Sequence, residues 1–169
     1  MERVTARPDR SRNPLKSPLR SIIDQPGPVD IESEEMGNDR TILSAIAAKG
    51  HAAQVILPAS ISAKDKRNVA DLEQHGVRVR LLPKSPIYMH AKAEIAGDEA
   101  FIGSENYNTS SLNENREMGL ILRGREVAQL RTQFDQDWRL AGEDVATHPE
   151  HGRRFADKVK NWFQLVGQE

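Results

Sequence analysis

The chain has 169 residues, enough for one compact domain with a real core and short of the length usual for two. Its 24 lysines and arginines against 25 aspartates and glutamates give a formal net charge of −1, which excludes the basic surface of a nucleic-acid coat protein and leaves only a local basic patch open. Cysteine is absent, so disulfides and thiolate chemistry are excluded, while the redox compartment is left undetermined.

Residues 1–13 are Arg-rich and carry no apolar periodicity, so they are expected to be disordered or to be the remnant of an upstream region. The segment is charged where a signal peptide needs an apolar core, and no run approaches the roughly 18 apolar residues of a membrane span. The expectation is a soluble chain, cytoplasmic or peripheral to a membrane, or secreted if an upstream region is missing. A domain is expected over residues 14–140 and an amphipathic helical tail over 141–169.

Within the domain, "SPLRSIIDQ" predicts a short helix that the "PGP" at Pro26 to Pro28 terminates. "VDIESEEM", Val29 to Met36, reads as a strand with a wet end. In "NDRTILSAIAAKG" an Asn or Asp cap precedes apolar residues at helical spacing and Gly50 closes the last turn. "AAQVILP" is a continuous apolar run, as in a strand buried on both faces. A second helix over "SAKDKRNVADLEQHG" and a strand over "VRVRLLP" follow, and this alternation predicts a parallel sheet with helices packed on it.

After Pro86 the period becomes two, with "IYMHAKAEIA", a turn at Gly97-Asp98, and "EAFIGS". A helix-like "NTSSLNENR", a strand "EMGLIL" and an amphipathic helix "REVAQLRTQFDQDW" complete the pattern, with Val127, Leu130, Phe134 and Trp138 on one side. In the tail, Phe155, Val159, Trp162, Phe163 and Val166 recur at helical spacing, to cover the core or to face a partner.

His90 and Lys92 are two apart on an expected strand, so both side chains leave the same face of the sheet. Gly103-Ser104-Glu105-Asn106 at the end of the next strand presents a hydroxyl and an amide. An imidazole, an ammonium, a hydroxyl and an amide at one hairpin end have the chemistry of a phosphate site, with three donors and one nucleophile. For the pair alone, an edge position with solvated side chains is the commoner meaning, and Gly-Ser at a strand end is ordinarily a turn. The joint pattern tips the balance.

That pattern resembles the phospholipase D superfamily, whose signature is His-x-Lys, four residues, Asp, six residues, Gly-Ser-x-Asn. The likeness runs from "VDIESEEM" through "SLNENREMGLIL" to "FDQDW" and is to the half-molecule of cardiolipin-synthase-like and bacterial phospholipase D-like proteins. It implies an α/β fold, the phospholipase D-like α-β-α sandwich with a mixed, largely parallel sheet flanked by helices. It also implies phosphodiester hydrolysis or phosphatidyl transfer through a phosphohistidine on His90, with Lys92, Ser104 and Asn106 holding phosphate oxygens and Glu117 anchoring the histidine, without metal or other cofactor.

The motif's Asp falls on Gly97; Asp98 follows, and the spacer to Gly103 is one residue short. A tightened turn at Gly97, with Asp98 standing in for the motif acid, is expected over a slipped register that flips one strand's faces.

Protonating the leaving oxygen requires a second imidazole, and the chain carries one motif only. His51, His75, His148 and His151 lack a following x-Lys and are expected on the surface. The resemblance therefore implies a homodimer supplying one His90 from each copy, or a missing N-terminal half with the second motif. The acidic "IESEE" could line the substrate cleft with Glu32, Glu34 or Glu35 near a cationic headgroup, Glu35 being the leading candidate, against the plainer reading of a solvated strand end. The leading expectation is action on phospholipid. The alternatives are a single-motif endonuclease of the same superfamily, for which basic residues around the cleft are expected and Arg78, Arg80 and Lys84 are the only nearby cluster, and an inactive half-domain serving as a dimerisation or partner-binding module.

Overall fold

Apolar runs, caps and turns divide the chain into strands and helices that form one sheet covered on both faces. The computed structural model describes residues 2–5, 16–84 and 88–143. The strands are β1 (Glu2–Thr5), β2 (Val29–Ser33), β3 (Ala53–Pro58), β4 (Arg78–Leu82), β5 (Lys92–Ala96), β6 (Glu99–Gly103), β7 (Met118–Arg123) and β8 (Gly142–Glu143). The helices are α1 (Lys16–Ile23), α2 (Arg40–Lys49), α3 (Ala63–Gln74), α4 (Thr109–Asn113) and α5 (Arg125–Leu140).

All eight strands join in the order β1-β7-β6-β5-β2-β3-β4-β8. The mixed sheet is the expected one, although its parallel part is confined to β2-β3-β4, where α2 and α3 make the crossovers. From β2 through β5, β6 and β7 to β1 every pairing is antiparallel. After β4 no helical crossover returns the chain in parallel: β5 and β6 form a tight hairpin, and β7 comes back antiparallel after the connection that carries α4.

Side-chain chemistry sets the helix starts. Asp39 caps α2, accepting from the amides of Thr41 and Ile42, and Ser62 with Asp65 forms a reciprocal capping box on α3. One face of the sheet packs Val29, Ile31, Ala96 and Phe101 against α1, α2 and α3 through Ile23, Ile46 and Leu72. On the opposite face, Ile56, Ile95 and Ala100 meet Val127 and Phe134 of α5, with Leu130 and Trp138 packed alongside. The expected apolar stripe of α5 is thus the one that covers the sheet.

Two segments differ from the sequence reading. Glu2–Thr5, inside the segment expected to carry no structure, pairs antiparallel with Met118–Ile121, because an edge strand offers a full row of backbone groups to any extended neighbour. Gly142–Glu143 pairs with Arg80 and Leu81 at the other edge, and the amphipathic stretch from Phe155 to Val166, like His148 and His151, lies outside the described residues. The strand expected to begin at Ile87 begins at Lys92, since its partner β2 ends at Ser33, where the Ser33 hydroxyl donates to the carbonyl of Glu35 and turns the chain.

Candidate active site

His90, Lys92, Ser104, Asn106 and Glu117 all sit at one end of the antiparallel half of the sheet, where β2 and β6 finish and β5 and β7 begin. The hairpin joining β5 to β6 closes through the two residues Gly97 and Asp98, with Gly97 at φ +54°, a conformation that glycine adopts without steric cost. The turn is a tight two-residue one, but the register it sets is the flipped alternative rather than the expected one: Lys92 falls beside Gly103, and Ser104 leaves by the other face. Asp98 occupies the turn, beside α5 residues Arg131 and Asp135 rather than among the phosphate-site candidates.

His90 and Lys92 meet as their spacing predicts. The Lys92 ammonium donates toward Nδ1 of His90 at 3.1 Å, lies 3.4 Å from Nε2, and donates to the His90 carbonyl at 3.1 Å. The histidine side chain is 66% exposed and the lysine side chain 6%, so the imidazole faces solvent over a buried cation. The third member is an acid the sequence placed only as one of three that could line the cleft, with no tie to the motif. Glu34 Oε2 lies 2.9 Å from His90 Nε2 and 2.8 Å from Lys92 Nζ, and Oε1 accepts from the phenol of Tyr88 at 3.1 Å. Burial alone would push the Glu34 carboxyl up; the Lys92 hydrogen bond and charge, with help from Tyr88 and His90, hold it below the ordinary value. Only the strand pairing places it there: Ser33 is the register partner of Lys92, and the Glu34 amide donates to the Ala91 carbonyl, so β2 delivers Glu34 beside the motif.

Ser104, Asn106 and Glu117 form a second group. Glu117 accepts from the hydroxyls of Ser104 and Ser111 at 2.5 and 2.6 Å and from the Asn115 amide at 3.3 Å, while Ser111 also accepts from the Asn106 amide nitrogen. Ser104 Oγ accepts from the Met118 amide as well. Glu117 thus anchors the Gly-Ser turn. Among the described residues no hydrogen bond or ion pair joins His90 or Lys92 to Ser104, Asn106 or Glu117.

The register explains the separation. Ala93 pairs with Ile102, so the next step sets Lys92 beside Gly103 and the alternation of faces sends Ser104 the other way. Glu105 takes the inner side instead: a Cβ on Gly103 would stand 1.9 Å from Glu105 Oε2 and 2.8 Å from Phe101 Cε1. Glu105 and Glu94 are each 1% exposed, and burial raises them to about 7 and about 8. Oε2 of Glu94 and Oδ1 of Asn106 lack hydrogen-bond partners among the described residues, while the Glu105 carboxyl faces the backbone amides of Ser104 and of Glu105 itself, which oppose its rise.

The acids of the "IESEE" strand each find a distinct neighbour. Glu32 is raised to about 7 by burial and by Asp137 of α5, Glu34 joins His90 and Lys92, and Glu35 accepts from Asn108 at 2.9 Å. Glu35 therefore steadies the loop after β6. Among the described residues no group of three or more His, Asp or Glu is arranged to hold a metal ion, and no helix is long and apolar enough to cross a membrane.

A mixed α/β sheet with a His-x-Lys pair and a Gly-Ser-x-Asn turn at one strand end defines the phospholipase D class of architecture. The family model of the cardiolipin synthase PLD-like domain matches residues 29–138, and the chain belongs to this phospholipase D-like family. Among solved structures it is similar to a phospholipase D family member, Nuc from Salmonella typhimurium, at 14% identity and a TM-score of 0.69, covering 76% of this chain and 90% of that one. NucT from Helicobacter pylori is similar at 19% identity and TM-score 0.61, with 77% and 90% covered. Phosphatidylserine synthase of Haemophilus influenzae Rd KW20 is similar at 14% identity and TM-score 0.65; the match covers 93% of this chain and 44% of the synthase. At these identities the likenesses show the fold. No curated protein matches the chain in sequence.

Proposed function

We propose that the chain is a phosphodiesterase that hydrolyses or transfers phosphatidyl groups through a phosphohistidine on His90. The observation that carries this reading is the exposed His90 imidazole held 3.1 Å from the buried Lys92 ammonium at the end of the sheet. The match to the cardiolipin synthase domain supports a phospholipid substrate.

In the first step a His90 ring nitrogen attacks phosphorus, the P–O bond to the leaving alcohol breaks, and that alcohol takes a proton from a second imidazole. In the second step the same imidazole removes a proton from water or an alcohol, which attacks the phosphohistidine and releases His90. Lys92 compensates the charge on the phosphoryl oxygens throughout. One chain supplies one such histidine, so the working unit is a two-fold pair with a His90 from each copy, or a longer chain that carries a second motif.

Purified protein in EDTA, offered phosphatidylglycerol, phosphatidylcholine and single-stranded DNA, should release headgroup or exchange it for an added alcohol, and His90→Ala should abolish this. Failure to trap a phosphoryl-enzyme with any substrate would remove the proposal. A second reading, an endonuclease of the same superfamily, is favoured by size, since the chain spans nine-tenths of both Nuc and NucT; turnover of the DNA alone would select it.

A further inference from the structure

Lys92 has three ammonium hydrogens and, where it sits, three acceptors: Glu34 Oε2 at 2.8 Å, a His90 ring nitrogen at 3.1 Å and the His90 carbonyl at 3.1 Å. Its side chain is 6% exposed, so water is not an alternative partner of any weight. A phosphate oxygen can be bound by this cation only if one of those acceptors yields. Two belong to His90 itself. The third is an anion on a separate strand end, and it also receives the His90 ring at 2.9 Å and the Tyr88 hydroxyl at 3.1 Å.

Three donors from three residues therefore converge on one carboxylate. An ammonium, an imidazole N–H and a phenol around two oxygens make the hydrogen-bond set expected around two non-bridging oxygens of a phosphate. We propose that the Glu34 carboxylate is the resident anion of this site, occupying the position of the phosphate oxygens and leaving it by rotation of its own side chain when phosphate binds. The inference rests on the phosphate-site reading of His90 and Lys92.

Two features make the exchange workable. Glu34 follows the last residue of β2, beyond the Ser33 hydroxyl that turns the chain, so its side chain moves without breaking a sheet pairing. Its backbone stays fixed by the Glu34 amide on the Ala91 carbonyl at 3.0 Å. The carboxylate thus neutralises a buried cation that would otherwise stand unpaired, and it sets a threshold that an incoming anion has to overcome. A monoanionic phosphodiester brings its own charge to Lys92 and meets that threshold; a neutral ligand does not.

The test is titration of the folded protein with tungstate, a tetrahedral oxyanion, by calorimetry, for wild type and for Glu34→Gln, Glu34→Ala, Lys92→Ala and His90→Ala. With the closed arrangement holding roughly nine-tenths of the molecules, removal of the carboxylate tightens tungstate about tenfold. Far-UV circular dichroism confirms folding of each variant, and the two Glu34 variants are independent checks of one another. Soluble short-chain phosphatidylglycerol and a dinucleotide, both phosphodiesters, should tighten by the same factor as tungstate. Tightening of only one of them would mean that Glu34 reads the esterified group rather than the phosphate, which overturns the proposal. Binding to wild type that is lost in Lys92→Ala but is no tighter in either Glu34 variant leaves the phosphate site standing and defeats the exchange. No binding to any variant defeats both.

Discussion

The phenol of Tyr107 donates to Oε1 of Glu94 at 2.5 Å beneath the β5-β6 hairpin, where both residues are almost wholly buried. Burial pushes the Glu94 carboxyl up to about 8, the Tyr107 hydrogen bond pulls it back, and the charge of Glu105 adds to the rise; the phenol is itself raised well above its ordinary value. The folded state thus holds a proton on Glu94 at neutral pH that the unfolded chain, titrating near 4.5, has released. That contribution to stability is fully present below the unfolded value and is lost as pH rises through the folded one. The thermal midpoint should fall between pH 5 and 8, with a slope of at most about 1.4 kcal/mol per pH unit for this group. Glu94→Gln keeps an acceptor for Tyr107 and should flatten that slope. An unchanged slope would remove Glu94 as its source.

Phe101 lies over two facing glycines, Gly103 and Gly119, which are register partners. A Cβ on Gly119 would stand 2.1 Å from Phe101 Cζ, so Gly119→Ala forces the ring to move and should cost roughly 1–3 kcal/mol in chemical denaturation. Phe101→Leu in the same chain should recover part of the loss. If Gly119→Ala proves neutral, the ring is not confined as described.

Arg131 of α5 donates to Asp30 Oδ2 at 2.7 Å and to the Gly97 carbonyl at 3.1 Å, tying the helix both to β2 and to the hairpin turn. Burial raises the Asp30 carboxyl and Arg131 opposes that rise. Arg131→Ala should cost about 2 kcal/mol, the range of hydrogen bonds to charged groups. The loss should grow with pH, because the stranded carboxyl is protonated at low pH and charged at high pH. Asp30→Asn in the Arg131→Ala chain should restore much of the stability at pH 8; a double variant no better than the single one would contradict the pairing.

A shared site has a stoichiometric signature. If each working unit needs His90 from both copies, an equal mixture of wild type and His90→Ala, unfolded and refolded together, should retain about one quarter of the activity of wild type alone at the same total concentration. Retention of one half would mean that each chain works by itself.

Much of this architecture is legible in the sequence because its signals are local. Asp39 and Ser62 start helices where capping chemistry demands, the apolar run Ala53–Pro58 becomes a strand covered on both faces, and Val127 and Phe134 mark the buried side of α5. His90 and Lys92 could be paired because two residues on one extended segment share a face. What escaped depends on contacts between distant segments. Glu34 reaches the motif through the register of β2 on β5, and that register is invisible from either strand alone. The pairing of Glu2–Thr5 with β7 spans most of the chain, and the composition of the segment says nothing of it. The side on which Ser104 emerges depends on how many residues the turn consumes, a quantity fixed only when Gly97 takes its positive φ.

In a strand, direction alternates with every residue, so a register that differs by one is equivalent to a half-turn of the strand until the chain leaves the sheet. Here that half-turn gives the inner side to Glu105 and the outer side to Ser104. A shift of β6 by one residue against β5 would exchange the two, turning the Glu105 carboxyl out to water and the Ser104 hydroxyl toward the lysine side. Protein engineers usually treat hairpin pairing as scaffolding; in this molecule the register of one hairpin decides whether an acid or a hydroxyl shares a face with the lysine.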